Sequence, residues 1–270
     1  MADGVDDVFD LKFRVAEAAG VCKATVSYVL NDRKDQKISE ETKKKIWQVV
    51  NMLGYRPNAF AQNMRVCNER LLIGVCIPDC LSELEKLLCF DFLSDYLAAS
   101  REDNANIVLL DSTPERISTA DAVVAFSPTR SDFFALGECN FIPILSVDCR
   151  IDDSLFFEVS LDYRLLKRRA EEHFGAAFRY VCIPPRDELL RKEIESAFPD
   201  VLFVRHRQEL ESLPAGNLLL SQKCLLPFLS RDKHVTYCPE DLADTKMRTI
   251  ASCVRSALSH EPCEKHIFKV

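Results

Sequence analysis

Residues 15–31 read VAEAAGVCKATVSYVLN, and their apolar side chains recur at helical spacing on both sides of a single glycine. Gly20 interrupts the pattern, which predicts two short helices joined by a turn. The residues on the two apolar faces are Val15, Ala16, Ala19, Val26, Val29 and Leu30. This is a helix-turn-helix pattern, in which the second helix can enter the major groove of DNA.

A third helix is predicted to begin after Ser39, because serine caps helix N-termini and two acidic residues, Glu40 and Glu41, follow it. Gly54 stands where a C-terminal cap is expected. The buried stripe of this helix is predicted to comprise Ile46, Val49, Val50 and Leu53. Three short helices would then share one small core.

The second helix keeps part of its surface outside that core. These residues are Lys23, Ala24, Ser27 and Tyr28. Small and hydrogen-bonding side chains at the start of a helix can meet base edges in a major groove. The alternative is an ordinary solvated helix surface.

The composition predicts a folded protein with room for more than one domain, since the chain has 270 residues and 47% of them are hydrophobic. No apolar run approaches the roughly 18 residues of a membrane span, and the start, MADGVDDVFD, is acidic. A cytoplasmic protein without a membrane partner is therefore expected. The twelve cysteines form no C-x-x-C pair, and we expect them to be reduced and mostly buried.

Charge is distributed unevenly along the chain. Residues 12–65, which we call the basic segment, hold eleven Lys and Arg against five Asp and Glu, a net +6. Residues 66–270 hold 24 against 33, a net −9, and the whole chain is −7. A basic segment of this size is either a solvated surface or a small DNA-binding module.

The same residues resemble the DNA-binding headpiece of the LacI/GalR transcriptional regulators. The resemblance covers residues 13–65 and rests on VAEAAGVCKATVSYVLN followed by ISEETKKKIWQVVNMLGYRPNAFAQNMR. It implies base contacts by Lys23, Ala24 and Tyr28. It implies contacts to phosphate and sugar by Thr25, Ser27, Asn31, Thr42, Tyr55 and Asn58. Cys22 departs from the family, which usually has Ser there, so a poor N-cap replaces a good one.

The resemblance also implies a hinge helix at residues 58–65, too short to be stable alone. In the family two such segments pair in the minor groove, and an apolar side chain enters a base step. Met64 occupies this wedge position, the alternative being a plain hydrophobic contact. The expected domains are a headpiece at 1–57, a hinge helix and linker at 58–70, and a core at 71–270.

Residues 71–270 alternate short apolar segments with helical ones, which predicts an α/β core with parallel sheets. The segments predicted as strands include LLIGVCIPD, NIVLLD, DAVVAFS, FIPILSVD, RYVCIPP, VLFVRH, GNLLLS and HIFKV. The family resemblance implies that this core is two-lobed and periplasmic-binding-protein-like, although shortened. Gln222 and Lys223 replace two family positions that hold ligand hydroxyls, so reduced or atypical effector sensing is expected.

Asp162 and Arg191 remain as candidate residues of an effector pocket for a sugar or nucleobase. Their alternatives are a helix cap for Asp162 and a solvated helix charge for Arg191. No cofactor, metal site or catalytic set is expected, because the sequence has no phosphate-binding glycine loop and no convincing metal-ligand spacing.

Two functions from different classes follow. The first is a sequence-specific transcriptional regulator, acting as a repressor, that binds a palindromic double-stranded DNA operator as a homodimer and is not an enzyme. The alternative is a soluble small-molecule binding protein whose headpiece no longer reads DNA.

Overall fold

The structure is a computed structural model with two compact units, Met1–Glu69 and Arg70–Val270. It describes residues 14–30, 38–52, 71–79, 81–101, 104–110, 117, 120–140, 142–259 and 265–270. The expected domain boundaries, after residues 57 and 70, stay predictions.

Among the described residues of the N-terminal unit there are three helices: α1 at residues 14–19, α2 at Lys23–Leu30 and α3 at Glu40–Met52. Gly20 ends α1 with a φ of +67°, a backbone conformation that suits glycine. The amide of Val21 donates to the Ala16 carbonyl at 2.9 Å and closes the turn. The predicted helix-turn-helix is confirmed.

The core of this unit is built from all three helices. Its buried residues are Val15, Ala16, Ala19, Val26, Val29, Ile46, Trp47 and Val50. Trp47 is 7% exposed and was not predicted, whereas Val49 is only half-buried. The buried face of α3 is therefore rotated towards Trp47 and away from Val49, because the large Trp47 ring packs in the core beside Ile46.

The first turn of α3 is capped as predicted. The hydroxyl oxygen of Ser39 accepts from the backbone amide of Thr42 at 3.2 Å, and the Ser39 carbonyl accepts from the Lys43 amide at 3.0 Å. These bonds satisfy groups that the first turn of a helix leaves unpaired. The predicted C-terminal positions, Leu53 and Gly54, lie outside the described residues.

The C-terminal unit alternates strands and helices along the chain. In order, these are β1 Leu71–Cys76, α4 Glu83–Ser100, β2 Ala105–Leu110, β3 Ala122–Phe126, α5 Arg130–Cys139, β4 Ile144–Val147, β5 Phe157–Ser160, α6 Tyr163–Phe174, β6 Arg179–Cys182, α7 Glu188–Ala197, β7 Leu202–Phe203, α8 Arg207–Glu211, β8 Gly216–Leu220, a 3₁₀ helix Lys223–Phe228, β9 His234–Tyr237, α9 Asp241–Ser259 and β10 Ile267–Lys269.

The strands form two separate sheets, each of which belongs to one lobe. The first lobe has the order β10-β5-β4-β3-β1-β2, and the second has β7-β6-β8-β9. All pairings described are parallel. The predicted two-lobed α/β core with parallel sheets is confirmed.

The chain crosses from the first lobe to the second after β5 and returns after β9. The core of the first lobe lies between its sheet and the helices α4 and α9, with residues such as Phe92, Tyr96 and Ile250. In the second lobe, α6 and α7 pack on one face of the sheet around Leu166 and Ile194. The ends of the parallel strands therefore face a cleft between the two lobes.

The described cysteines are free thiols, and most of them are buried as predicted. Burial raises the pKa of the Cys182 thiol to about 12 and that of Cys89 to about 11. Cys22 is exposed. Among the helices in the described part of the chain, none is both long and apolar enough to cross a bilayer.

Candidate functional site

The start of α2 presents the surface that the sequence predicts to meet base edges. Lys23 and Ala24 are exposed, and Tyr28, one turn later, is half-buried. On the opposite side of the helix Val26 is fully buried and Val29 is 6% exposed. The core thus fixes how α2 is rotated and leaves Lys23 and Ala24 facing outward.

Cys22 stands immediately before α2 and takes the place of an N-cap. Its Sγ lies 3.1 Å from the hydroxyl of Thr25, and its carbonyl accepts from the Val26 amide at 3.2 Å. Hydrogen bonds from the hydroxyl and the backbone N–H of Thr25 lower the pKa of this exposed thiol. Cys22 therefore stands at the N-cap position of α2, and its side chain contacts Thr25 in the first turn.

Thr42, a predicted backbone contact, lies in the first turn of α3. Its hydroxyl is 2.7 Å from that of Ser39, and the residue is half-buried. Lys44 and Lys45 follow it and are exposed. This turn therefore places positive charge beside polar groups, which is the chemistry that phosphate contacts use.

Five predicted DNA contacts cannot be placed. The side chain of Ser27 and the residues Asn31, Tyr55, Asn58 and Met64 lie outside the described residues, as does the hinge helix.

In the C-terminal unit, a cavity of about 110 Å³ lies in the cleft between the lobes. Aromatic rings from both lobes line it, including Phe92, Phe126, Tyr163 and Tyr180. The rings of Phe92 and Phe126 stack with centroids 4.0 Å apart. Burial raises the pKa values of Tyr163 and Tyr180 well above the ordinary value, so both are neutral hydroxyls at neutral pH.

Several polar side chains in the cleft are hydrogen-bonded to other residues of the chain. Lys246 lies 2.5 Å from Asp148, and the Gln222 carbonyl oxygen accepts from the Ile183 amide at 2.8 Å. The Tyr180 hydroxyl is 2.6 Å from that of Ser221. Two carboxylate oxygens that line the cavity, Asp91 Oδ2 and Asp148 Oδ1, are buried without a hydrogen-bond partner among the described residues.

Neither Asp162 nor Arg191 lines this cavity. Asp162 caps α6, since one carboxylate oxygen accepts from the amides of Arg164 and Leu165, each at 3.0 Å. Arg191 pairs with Glu195 at 3.0 Å along α7, and its guanidinium lies 5.0 Å from the ring centroid of Phe203. Both side chains have the structural roles that the sequence left open as alternatives.

Within the described part of the chain, no group of three or more His, Cys, Asp and Glu residues is placed to hold a metal ion. Sequence reasoning missed two features of the sites. One is Trp47, whose ring anchors α3; the other is Lys223, which contacts the first lobe through Asp95 at 2.7 Å. The only sequence signal for Lys223 was its departure from the family pattern.

Known proteins resemble this chain most clearly in the N-terminal unit. Residues 14–58 match the family described as "Bacterial regulatory proteins, lacI family". The HTH-type transcriptional regulator RegA of Clostridium saccharobutylicum is 45% identical over 65 residues, covering 24% of this chain and 19% of that protein. The Fructose operon regulatory protein of Vibrio cholerae is 27% identical over 205 residues, covering 72% of this chain and 60% of that protein.

The chain thus spans 60% of the length of the Vibrio cholerae protein and about a fifth of RegA. Among solved structures, the lac repressor dimer bound to operator and the anti-inducer ONPF aligns with 16% identity and a TM-score of 0.48. That alignment covers 95% of this chain and 94% of the repressor chain. These relatives are named as regulatory proteins, and residues 14–58 of this chain match the lacI family of bacterial regulatory proteins.

Proposed function

We propose that the chain is a sequence-specific DNA-binding transcriptional regulator that acts as a repressor and reads a palindromic operator as a homodimer. The observation that carries the proposal is the rotation of α2, whose buried side holds it in the three-helix core while Lys23 and Ala24 face outward. This is the arrangement that a recognition helix needs to enter a major groove.

The contacts divide into two kinds. Lys23, Ala24 and Tyr28 meet base edges, where a lysine donates to guanine acceptors and small or aromatic groups touch thymine methyls. Thr25 and Thr42 meet the sugar-phosphate backbone and fix the position of the headpiece on the duplex.

The other proposed backbone contacts are Ser27, Asn31, Tyr55 and Asn58. We propose Met64 as the minor-groove wedge at the operator centre.

The charge distribution supports DNA binding by the N-terminal unit. The basic segment carries +6, while residues 66–270 carry −9. Positive charge at the headpiece attracts the duplex, and the acidic remainder disfavours contact of the larger unit with DNA. Repression by this route is occlusion of a promoter, so no bond is broken and no catalytic residue is assigned. Such a protein works in the cytoplasm.

An exposed apolar face on α4 supports the homodimer. Phe90 is 69% exposed and Leu97 is 46% exposed, seven residues apart on one side of the helix. Leu109, on the edge strand β2, is 55% exposed and lies on the sheet face that α4 covers. Exposed apolar side chains grouped in this way mark association surfaces.

The same face is suited to a second copy of itself. Glu83 and Arg101 are exposed at opposite ends of α4. Two antiparallel copies would place Glu83 of one beside Arg101 of the other, with Phe90 facing the small Ser94. A two-fold interface requires this self-complementarity.

The proposal also concerns the binding of a small-molecule effector. A cavity of about 110 Å³, several of whose polar groups are engaged within the protein, supports reduced or atypical sensing of a sugar or nucleobase effector.

The test is selection of bound duplexes from a random DNA pool at near-physiological salt, followed by sequencing. The proposal expects an enriched inverted repeat that is lost with Tyr28→Ala and weakened with Met64→Ala. Arg248→Ala, in an exposed ion pair on α9 of the other unit, is the matched control and should enrich the same repeat. Salt-sensitive binding without any enriched sequence would contradict the proposal.

A further inference from the structure

We propose that the cleft between the two lobes is held shut by the chain's own residues, through α4, so that no ligand is needed to close it. The contacts form what we call the α4 lock: Leu84, Glu85 and Asp95 of α4 with Arg186 and Lys223 of the second lobe. As a statement about regulation this inference rests on the proposed function, whereas the lock itself does not depend on DNA binding.

The apolar part of the lock is Leu84. Phe92 and Tyr96, further along α4, belong to the core of the first lobe. Leu84 is fully buried and packs in the core of the second lobe, in the same cluster as Val181 and Leu220. One helix therefore contributes to both cores, and parting the lobes would return Leu84 to water.

The first polar contact joins Lys223 to Asp95. Lys223 begins the 3₁₀ helix of the second lobe, and its Nζ lies 2.7 Å from the Asp95 carboxylate on α4. The hydrogen bond to Asp95 raises the pKa of Lys223, so the ammonium form persists well above neutral pH. Asp91 stands one turn before Asp95, and its electrostatic interaction with Lys223 adds to the attraction.

A second polar contact lies near the start of α4. Arg186 of the second lobe is 3.5 Å from Glu85 and donates to the Asp79 carbonyl at 3.4 Å. Glu85 also accepts from the Ser82 amide at 2.8 Å, completing the capping box that begins α4. The residue that bonds across the cleft is therefore held in place by the cap of its own helix.

The lobes are bridged away from α4 as well. The Arg150 amide in the first lobe donates to the carboxylate of Asp187 at 3.3 Å, and Asp187 is the N-cap of α7 in the second. Lys269 on β10 forms an ion pair with Glu193 on α7. The closed arrangement thus has contacts at α4 and, away from it, between α7 and the first lobe.

In a two-state protein a ligand shifts the balance only by its preference for one state. Here the protein supplies the closing contacts itself, so the closed state is the resting state. Lys223 is about half exposed, and the ionic part of the lock is therefore screened by salt. Opening should respond to ionic strength and to charge reversal at Lys223 or Asp95.

The test is hydrogen–deuterium exchange of the full chain without DNA, followed by mass spectrometry. Lys223→Glu and Asp95→Lys should each raise exchange about two- to fivefold at residues 84–88 and 223–228, while exchange in the two sheets stays constant. The double variant Lys223→Glu/Asp95→Lys restores an ion pair of opposite sense and should return exchange towards the original rate.

Arg248→Glu breaks an exposed pair with Asp244 on α9 and should leave residues 84–88 unchanged. Three results would overturn the lock: unchanged exchange in both single variants, a rise spread evenly over both sheets, or a double variant as open as the singles. A failed lock with an intact operator preference would refute this inference alone, whereas loss of operator preference with an intact lock would refute the proposed function alone.

Discussion

Removing the carboxylate of Glu158 should destabilise the C-terminal unit far more than removing an exposed carboxylate. Glu158 is 1% exposed on β5, and one of its oxygens lies 2.8 Å from the guanidinium of Arg150. Its other oxygen accepts from the amides of Ile151 at 2.8 Å and Asp152 at 3.3 Å. A single side chain therefore neutralises a largely buried arginine and pins the loop between β4 and β5.

Deleting one partner of a buried ion pair lowers the free energy of unfolding by about 3–5 kcal/mol, because the other charge stays buried. In the Glu158→Ala variant Arg150 keeps two acidic neighbours, Asp152 at 3.2 Å and Glu193 at 3.8 Å. The free energy of unfolding should therefore fall by about 3 kcal/mol, the lower limit of that range. Glu158→Gln keeps an oxygen for the loop amides but loses the charge, and should lower it by about 1.5–3 kcal/mol.

The assay is urea denaturation followed by far-ultraviolet circular dichroism. With an m-value of about 2–3 kcal/mol per M, the Glu158→Ala midpoint should fall by roughly 1–1.5 M. Glu195→Ala, which removes the half-exposed partner of Arg191, is the control and should change stability by less than about 0.5 kcal/mol. Trp47 is the single tryptophan and lies in the N-terminal unit, so its emission should report an unchanged transition. Equal losses in Glu158→Ala and Glu195→Ala would refute the reasoning.

Three further predictions concern the N-terminal unit and the proposed dimer. Lys23→Ala should weaken operator binding and leave the salt slope almost unchanged if Lys23 reads a base; a slope reduced by about 1 would instead make it a phosphate contact. In the folded protein Cys22 should be alkylated while Cys182 is not. The alkylation rate of Cys22 should fall only as the pH drops through its lowered pKa, and operator DNA should protect Cys22. Equal alkylation rates for both thiols would contradict this prediction. Phe90→Asp should convert the dimer to monomers in sedimentation without changing the circular dichroism spectrum, whereas the control Leu155→Asp, at a 79% exposed position, should not.

Much of the fold could be predicted from local patterns. Gly20 separates two apolar faces at helical spacing, and the structure turns there with a positive φ. The strands β3 and β4 are buried along their whole length and β1 along its last four residues, which is why they read as apolar runs. The segment VLFVRH was predicted as a strand, but β7 contains only Leu202 and Phe203.

The cleft could not be predicted, because its contacts join residues far apart in the chain. The sequence of α4 is apolar on several sides, since its first turn packs in one lobe and its later turns in the other. No single helical face therefore stands out in its sequence. Likewise, Lys223 and Asp95 are separated by 128 positions, and nothing local relates them.

The exposure of Lys23 and Ala24 could be predicted because it depends on a single helix. The exposed start of α2 follows from the register of Val26 and Val29, which α2 itself determines. The candidate pocket residues Asp162 and Arg191 do not line the cavity. A pocket takes side chains from several elements at once, and the sequence of one helix does not show which elements meet. Asp162 and Arg191 instead act within α6 and α7, where the nearest partners are a few residues away.

The most direct test of the account compares affinities for two duplexes at one fixed, near-physiological salt concentration. One carries the selected inverted repeat and the other the same bases scrambled, and binding is followed by fluorescence anisotropy. A recognition helix that reads base edges predicts at least about a thousandfold preference for the repeat. Equal affinities would contradict the central claim, because they would show that the basic segment binds phosphates without reading sequence.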